Sequence, residues 1–329
     1  MKLAVYSPAD LPNSSRIYME NVTLELKNMG HTVIPFSGKE LPERADIYWQ
    51  PSGGRNGPDV IFKQANAPFV ITFHGAANLA LPLSLCFGAR FKSRWNGWKS
   101  RLKTLREWRS RSSFYDTVIT VSEYAKKEAE EYLRIPGYLI TPIYHGVNYE
   151  IFYPLDEESN TEKYFLHISS YQPKKNLERI IAAYRQIGGK PKPRLKVIAP
   201  GYHLVHQHEG IEFIDKHLDH QLIAAFYQNA LGFIFPSLHE TFGMPILEAM
   251  ACGCPVITSH HPGCAEIAGD AALMVNPYVV EEIAEAMKQL IVNTDLRKKL
   301  RHRGIERAKC FTWQKSAEEH LAVFRKVRV

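Results

Sequence analysis

The chain has 329 residues, of which 45% are hydrophobic and 23% charged, with a formal net charge of +7. That length and apolar content exclude a disordered chain and suit two domains of about 150 residues, each with a core of its own. Nine Lys/Arg against the single acid Glu107 lie between 90 and 111, a local balance of +8, so the remainder is near neutral and a general nucleic-acid binder is excluded.

The first half alternates short β-branched and aromatic runs with amphipathic stretches. Strands are expected at 3–7, 31–36, 45–50, 68–73, 116–121 and 138–143, with helices near 15–29 and 123–133. The loop Leu11-Pro12-Asn13-Ser14-Ser15-Arg16 offers good helix caps. The terminus runs straight into strand pattern, without a signal-peptide h-region. The longest nearly apolar run, 79–89, is broken by Pro82 and Ser84 and is too short to span a bilayer.

Residues 153–162 are polar, acidic and aperiodic, as an interdomain linker would be. The second half then repeats the rhythm. Strands are expected at 164–168, 195–200, 211–214, 232–236, 256–258 and 273–275, helices at 176–187, 220–229 and after Gly243, and a helical region from 280 onward. The pattern predicts an α/β chain of two Rossmann-like parallel-sheet domains, 1–155 and 156–310, facing a cleft. Residues 311–329 form a terminal helix able to cross back to the first domain.

The segment 236–255 carries the strongest chemical signal. A strand ends in a polar loop and a helix opens with Pro245 near its first position, so free N–H groups and the positive dipole end make an anion site that Gly243 lets a ligand approach. Glu248 stands among apolar Ile246, Leu247, Ala249, Met250 and Ala251, and a carboxylate there needs partners. Vicinal ribose hydroxyls would serve, as would a buried Arg or Lys. Glu240 on the loop would hold sugar hydroxyls or stand as a surface acid.

Glu240 and Glu248, with seven residues between them, resemble the paired glutamates of the retaining family 4 glycosyltransferases, which have the GT-B fold. Tyr171-Gln172-Pro173-Lys174-Lys175-Asn176-Leu177 resembles the family's donor-phosphate segment, and Pro255-Val256-Ile257-Thr258-Ser259 with Glu266 its downstream signature. The resemblance implies Glu240, His74 and Lys175 as catalytic residues. It implies Lys174, Lys175, Glu240, Phe242, Gly243, Met244 and Glu248 as donor-binding residues, with Glu248 on the ribose and the lysines on the diphosphate. His74, in Ile71-Thr72-Phe73-His74-Gly75, resembles a first-domain histidine that touches the donor sugar. No Asp-x-Asp triplet occurs, so no metal and no resident cofactor is expected.

Three features depart from the family pattern: no glycine in the loop after the first strand, Ser170 where an arginine is frequent, and Thr241 where a glycine is common. The expected reaction is retaining hexosyl transfer from a UDP-glucose-type or GDP-mannose-type donor to a glycan or lipid-linked glycan. A nucleotide-sugar epimerase, a sugar phosphorylase or an inactive membrane-associated partner are the alternatives.

Within the basic stretch, Trp95, Trp98, Leu102 and Leu105 recur at helical spacing. Arg94, Trp95, Trp98, Lys99, Arg101 and Lys103 form a candidate membrane or acceptor patch, either lying on an anionic bilayer or presenting a solvated basic face on an ordinary domain helix. Five cysteines, odd in number and scattered, read as free thiols in a reducing compartment, cytoplasmic or peripheral at the inner membrane face. The spacing of Cys252, Cys254, His260, His261 and Cys264 matches no common zinc site.

Overall fold

A computed structural model describes residues 1–38, 40–54, 56–87, 91–156, 164–189, 192–202 and 209–328. The chain divides into two compact units, Met1–Gly146 with Phe311–Val329, and Val147–Cys310.

The first unit holds strands β1 (Lys2–Tyr6), β2 (Thr32–Phe36), β3 (Ile47–Gln50), β4 (Phe69–Phe73), β5 (Thr117–Thr120) and β6 (Ile140–Pro142). They form one parallel sheet in the order β2-β1-β3-β4-β5-β6. Every residue of β3, β4 and β5 is buried, which is why these strands read as continuous apolar runs: helices cover both faces of a parallel sheet. The helix Asn13–Asn28 does not use the caps that the sequence offers. It is preceded by Pro12 without a side-chain cap, and the Ser15 hydroxyl donates instead to Ser52 at 3.2 Å. The expected helix 123–133 runs as Glu123–Glu128, capped by Ser122, then a π-helical turn over Ala129–Leu133 that stops at left-handed Arg134.

The terminal helix Trp313–Arg328 packs against Asn13–Asn28 in this same unit. A directed hydrogen-bond chain joins them. The Trp49 indole donates to Thr72 (3.0 Å), Thr72 to the Tyr18 hydroxyl (3.1 Å), Tyr18 to His320 Nε2 (2.5 Å), and His320 Nδ1–H to the Ser316 carbonyl (2.7 Å). Because the Ser316 carbonyl can only accept, Nδ1 must carry the proton, and Nε2 is left to accept from Tyr18. A Cβ on Gly146 would collide with the Trp313 backbone, so the chain can turn beneath this helix only at glycine.

Among the described residues between β4 and β5 lie the helices Ala77–Ala80, Leu83–Phe87 and, third, Phe91–Ser110. Gly97 lets the third approach Leu83 and Phe87, and buried Trp108 anchors its far end, donating to the Gly54 carbonyl at 3.0 Å and meeting Phe73 edge-on.

The second unit holds β7 (Tyr164–Ile168), β8 (Arg194–Ile198), β9 (Ile211–Ile214), β10 (Ala230–Phe235), β11 (Val256–Ser259) and β12 (Ala272–Val275), again all parallel, in the order β12-β11-β10-β7-β8-β9. β8 and β9 lie to one side of the β7/β10 pair and β11 and β12 to the other, which makes it the topological switch point. The chain joins this unit at Val147, earlier than the acidic stretch expected as a linker. Phe152 is buried beside Tyr227, Gln228 donates to the Tyr153 carbonyl, and Arg301 to that of Leu155. Residues 157–162 of that stretch lie outside the described residues.

His167 in the second unit and His320 in the first are 0% exposed, and burial holds both at about 4, against an ordinary 6.5. Between those values the unfolded chain binds protons that the native chain refuses, so stability rises with pH through this window. Glu248, held up at about 7, has the opposite sign between 4.5 and 7 but is one group against these two together with His74 and His145, which burial lowers as well. Each pKa unit is worth about 1.4 kcal/mol. The thermal midpoint is therefore expected to fall by several degrees between pH 7.5 and pH 5, and a flat profile in calorimetry would contradict these assignments.

Candidate functional site

At the carboxyl end of β7 the chain makes a 3₁₀ turn, Pro173–Lys175, and stops at Asn176 with φ 66°. Asparagine tolerates this left-handed conformation, and its buried amide donates to the carbonyls of Pro236 (2.9 Å) and Pro277 (2.6 Å). The Leu238 N–H donates to the Lys174 carbonyl at 2.8 Å, which ties the lysine turn to the loop after β10. Lys175 Nζ thereby reaches Glu240 at 2.6 Å and lies 4.9 Å from the centre of the Phe235 ring.

Glu240 is thus no surface acid: it is 8% exposed. Burial pushes its carboxyl upward, but the charges of Lys175 and then Lys174, with the Lys175 hydrogen bond, more than offset this and hold it at about 2. It is an ionised acceptor at any physiological pH. Phe242 is buried beneath the loop, and Gly243 at φ 86° turns the chain into the helix Met244–Ala251. No side chain caps that helix, and Pro245 occupies its second position.

Glu248 sits on the same helix, partly exposed, flanked by buried Leu247 and Ala249. Among the described residues it makes no ion pair, so the Arg or Lys partner that the sequence left open is not what satisfies it. Burial raises it to about 7, with the Tyr227 hydroxyl pulling the other way. Two glutamates in one segment therefore have opposite electrostatic settings.

His74 belongs to the first unit. It follows β4, donates from Nε2 to the Pro51 carbonyl at 2.7 Å, meets Tyr18 edge-on and stacks on His145 with ring centres 5.8 Å apart. Burial, against the Pro51 bond, lowers it to about 4, so it is neutral at pH 7. Lys174, Lys175, Glu240, Phe242, Gly243, Met244 and Glu248 all lie in the second unit.

The basic helix Phe91–Ser110 orients its apolar residues opposite to ordinary core packing. Trp95 is 50% exposed, Trp98 48% and Leu102 48%, while Gly97, Thr104 and Trp108 face inward and Leu105 packs on the core edge. The two tryptophans stack with ring centres 5.5 Å apart, and Lys99 lies 5.4 Å from the Trp95 ring centre. Arg94, Lys99 and Lys103 are exposed beside them. Arg101 is a correction to the expected patch: its guanidinium turns inward and donates to the Asn78 and Leu81 carbonyls, tying the helix to the segment before it. Among the described residues no helix is long and apolar enough to cross a membrane. Among the described residues no cysteine is in a disulfide, and Cys252, Cys254 and Cys264 are buried.

Sequence reasoning missed Asn176, Phe235 and Tyr227, whose roles follow from contacts between strands and helices distant in the chain. Lys175→Met would leave Glu240 buried without the cation that hydrogen-bonds to it, with only the charge of Lys174 remaining. An unfolding free energy lower by about 3 kcal/mol is expected in urea titration, with most of the loss recovered in Lys175→Met/Glu240→Gln. A single variant as stable as the parent would show that the pair carries no weight.

Comparison with known proteins agrees with this geometry. The family Glycosyltransferase Family 4 matches residues 52–151, and Glycosyl transferases group 1 matches residues 155–307. The O-antigen chain mannosyltransferase B of Escherichia coli is 31% identical over 174 residues, 49% of this chain and 45% of its own length, so the chain spans less than half of that relative. Among solved structures, sucrose-phosphate synthase from Thermosynechococcus elongatus superposes with a TM-score of 0.74 at 19% identity, covering 99% of this chain and 98% of its own. HepE from Anabaena, in complex with UDP-glucose, gives 0.70 at 15% identity, covering 98% of this chain and 100% of its own. The two parallel sheets are those of the GT-B fold, and the chain belongs to family 4 of the glycosyltransferases.

Proposed function

We propose that the chain is a retaining, metal-independent hexosyltransferase. It moves a sugar from a nucleoside diphosphate donor of UDP-glucose or GDP-mannose type to a glycan or lipid-linked glycan. The observation that carries this reading is the buried Lys175–Glu240 pair at the switch point of the second sheet, beside an uncapped helix start that leads to Glu248. The mannosyltransferase relative supports a hexose and a polysaccharide product.

In this reading Glu248 accepts the vicinal ribose hydroxyls. Lys175, Lys174 and the helix N-terminus take the diphosphate, and supply without a metal the positive charge that a departing nucleoside diphosphate requires. Glu240 accepts from the hydroxyls of the transferred sugar, and Lys175 is shared between that carboxylate and the phosphate. Neutral His74 contributes a hydrogen-bonding ring, not a charge. As the bond from the anomeric carbon to the phosphate oxygen breaks, the acceptor oxygen bonds to the same face and its proton passes to the departing phosphate.

With EDTA present, UDP or GDP at about a hundred times its dissociation constant is expected to add roughly 2.7 kcal/mol of stability. That shift should vanish in Glu248→Ala. Glu240→Ala should keep the shift and lose at least a hundredfold in kcat, and the product should keep the donor's anomeric configuration by NMR. Normal turnover in both variants would overturn the assignment, and conversion of the donor alone would favour an epimerase.

The helix Phe91–Ser110 is the membrane-facing element in this reading, and its occupant is an anionic bilayer. Exposed stacked indoles beside Leu102 suit the headgroup level, and each basic residue near such a surface adds about 1 kcal/mol. Binding to phosphatidylglycerol vesicles should weaken at least tenfold in Trp95→Ala/Trp98→Ala and fall with salt. Equal partition onto neutral phosphatidylcholine, or full binding by the double variant, would refute it.

A further inference from the structure

Tyr227, on the helix His220–Asn229, is 0% exposed. Its ring is fixed edge-on against Phe233 of β10, centres 5.1 Å apart, and lies 6.3 Å from Phe152. The hydroxyl is fully shielded and finds no hydrogen-bond partner at bonding geometry among the described residues. It faces the Glu248 carboxyl, with the thiols of Cys252 and Cys254 as the other titratable neighbours. A buried phenol without a well-aligned partner is costly, and the helix that carries it packs against Met244–Ala251, so the Glu248 carboxyl is the acceptor placed to take its hydrogen bond. Among the described residues no lysine, arginine or histidine shifts Glu248, and Tyr227 is the side chain that favours its ionised form. A carboxylate has about four acceptor sites, and two ribose hydroxyls leave room for a third donor from within the protein.

We propose that Tyr227 is a positioning residue for nucleotide binding, its hydroxyl donating to the Glu248 carboxylate while that carboxylate accepts the vicinal hydroxyls of the donor's ribose. This rests on the assignment of Glu248 to the ribose. Tyr227 never touches the ligand; it orients the carboxylate and keeps it an acceptor on both oxygens. Phenylalanine retains the ring packing and removes only the unpaired hydroxyl.

The test is the affinity for GDP and UDP, measured by calorimetry between pH 6 and 8.5, in the parent, Tyr227→Phe, Glu248→Ala and the double variant. In Tyr227→Phe binding is expected to be about tenfold weaker at pH 7 and to recover only at higher pH than in the parent. The kcat at saturating donor should stay within twofold, and the ligand-free thermal midpoint should be unchanged or higher. The double variant should bind no more weakly than Glu248→Ala. Parent-like affinity and pH profile in Tyr227→Phe, or losses that add in the double variant, would overturn the proposal. If the phenylalanine variant fails to fold, 3-fluorotyrosine at position 227, a stronger donor of nearly the same shape, must bind nucleotide at least as tightly as tyrosine, and weaker binding would also overturn it. Parent-like nucleotide binding by Glu248→Ala would instead remove the ribose assignment itself, whatever Tyr227→Phe does.

Discussion

The candidate site of the second unit depends on one ion pair. Lys175 follows β7 and Glu240 follows β10, strands adjacent in the sheet but far apart in sequence, and they meet at 2.6 Å where the strand order reverses. A parallel sheet gathers all its strand-to-helix loops at one edge, and only at the switch point do neighbouring loops diverge and leave room between them. Their contact neutralises two groups that burial would otherwise make costly. It also stores, within the protein, the charge complement that a phosphate and a sugar would exchange for. Asn176 holds the arrangement from below, because its amide bridges the carbonyls of Pro236 and Pro277 and so fixes the lysine turn relative to two other loops.

The first unit depends on a different constraint. The terminal helix Trp313–Arg328 is tied to the sheet by the chain from Trp49 through Thr72 and Tyr18 to His320, in which every donor and acceptor direction is determined. The same cluster surrounds His74: Tyr18 meets it edge-on and His145 stacks on it. Apolar aromatic surroundings keep these imidazoles neutral, so the residues that pin the last helix also set the electrostatic character of the loop after β4.

Much of this was legible in the sequence because parallel sheets write continuous apolar runs. Residues 211–214 and 220–229 read as their elements with the observed bounds, and the glutamate segment showed both its loop and its helix start. What was illegible depends on direction. Helical spacing grouped Trp95, Trp98, Leu102 and Leu105 as one apolar face, but spacing cannot say which face meets the core. Small Gly97 and Thr104 let the helix approach with its other side, leaving the indoles outside. Arg101 looked like its basic neighbours, and only tertiary packing turned it inward. The acidic stretch looked like a linker because it lacks periodicity, yet Phe152 just before it is core of the second unit.

The two glutamates show how a single segment obtains two different acids. Eight positions separate them, enough to put Glu240 on the loop where two lysines converge and Glu248 a turn into a helix whose neighbouring side chains are apolar. Both lose water, which alone would raise both. Lysine charge reverses the sign for one, and among the described residues a phenol alone opposes it for the other. The first is therefore a permanent anion, suited to hydroxyls that must be held throughout a reaction. The second is poised near neutrality, so a ligand that supplied hydrogen-bond donors would complete its ionisation. The difference originates in backbone geometry: left-handed Gly243 ends the polar loop and starts the apolar helix between them.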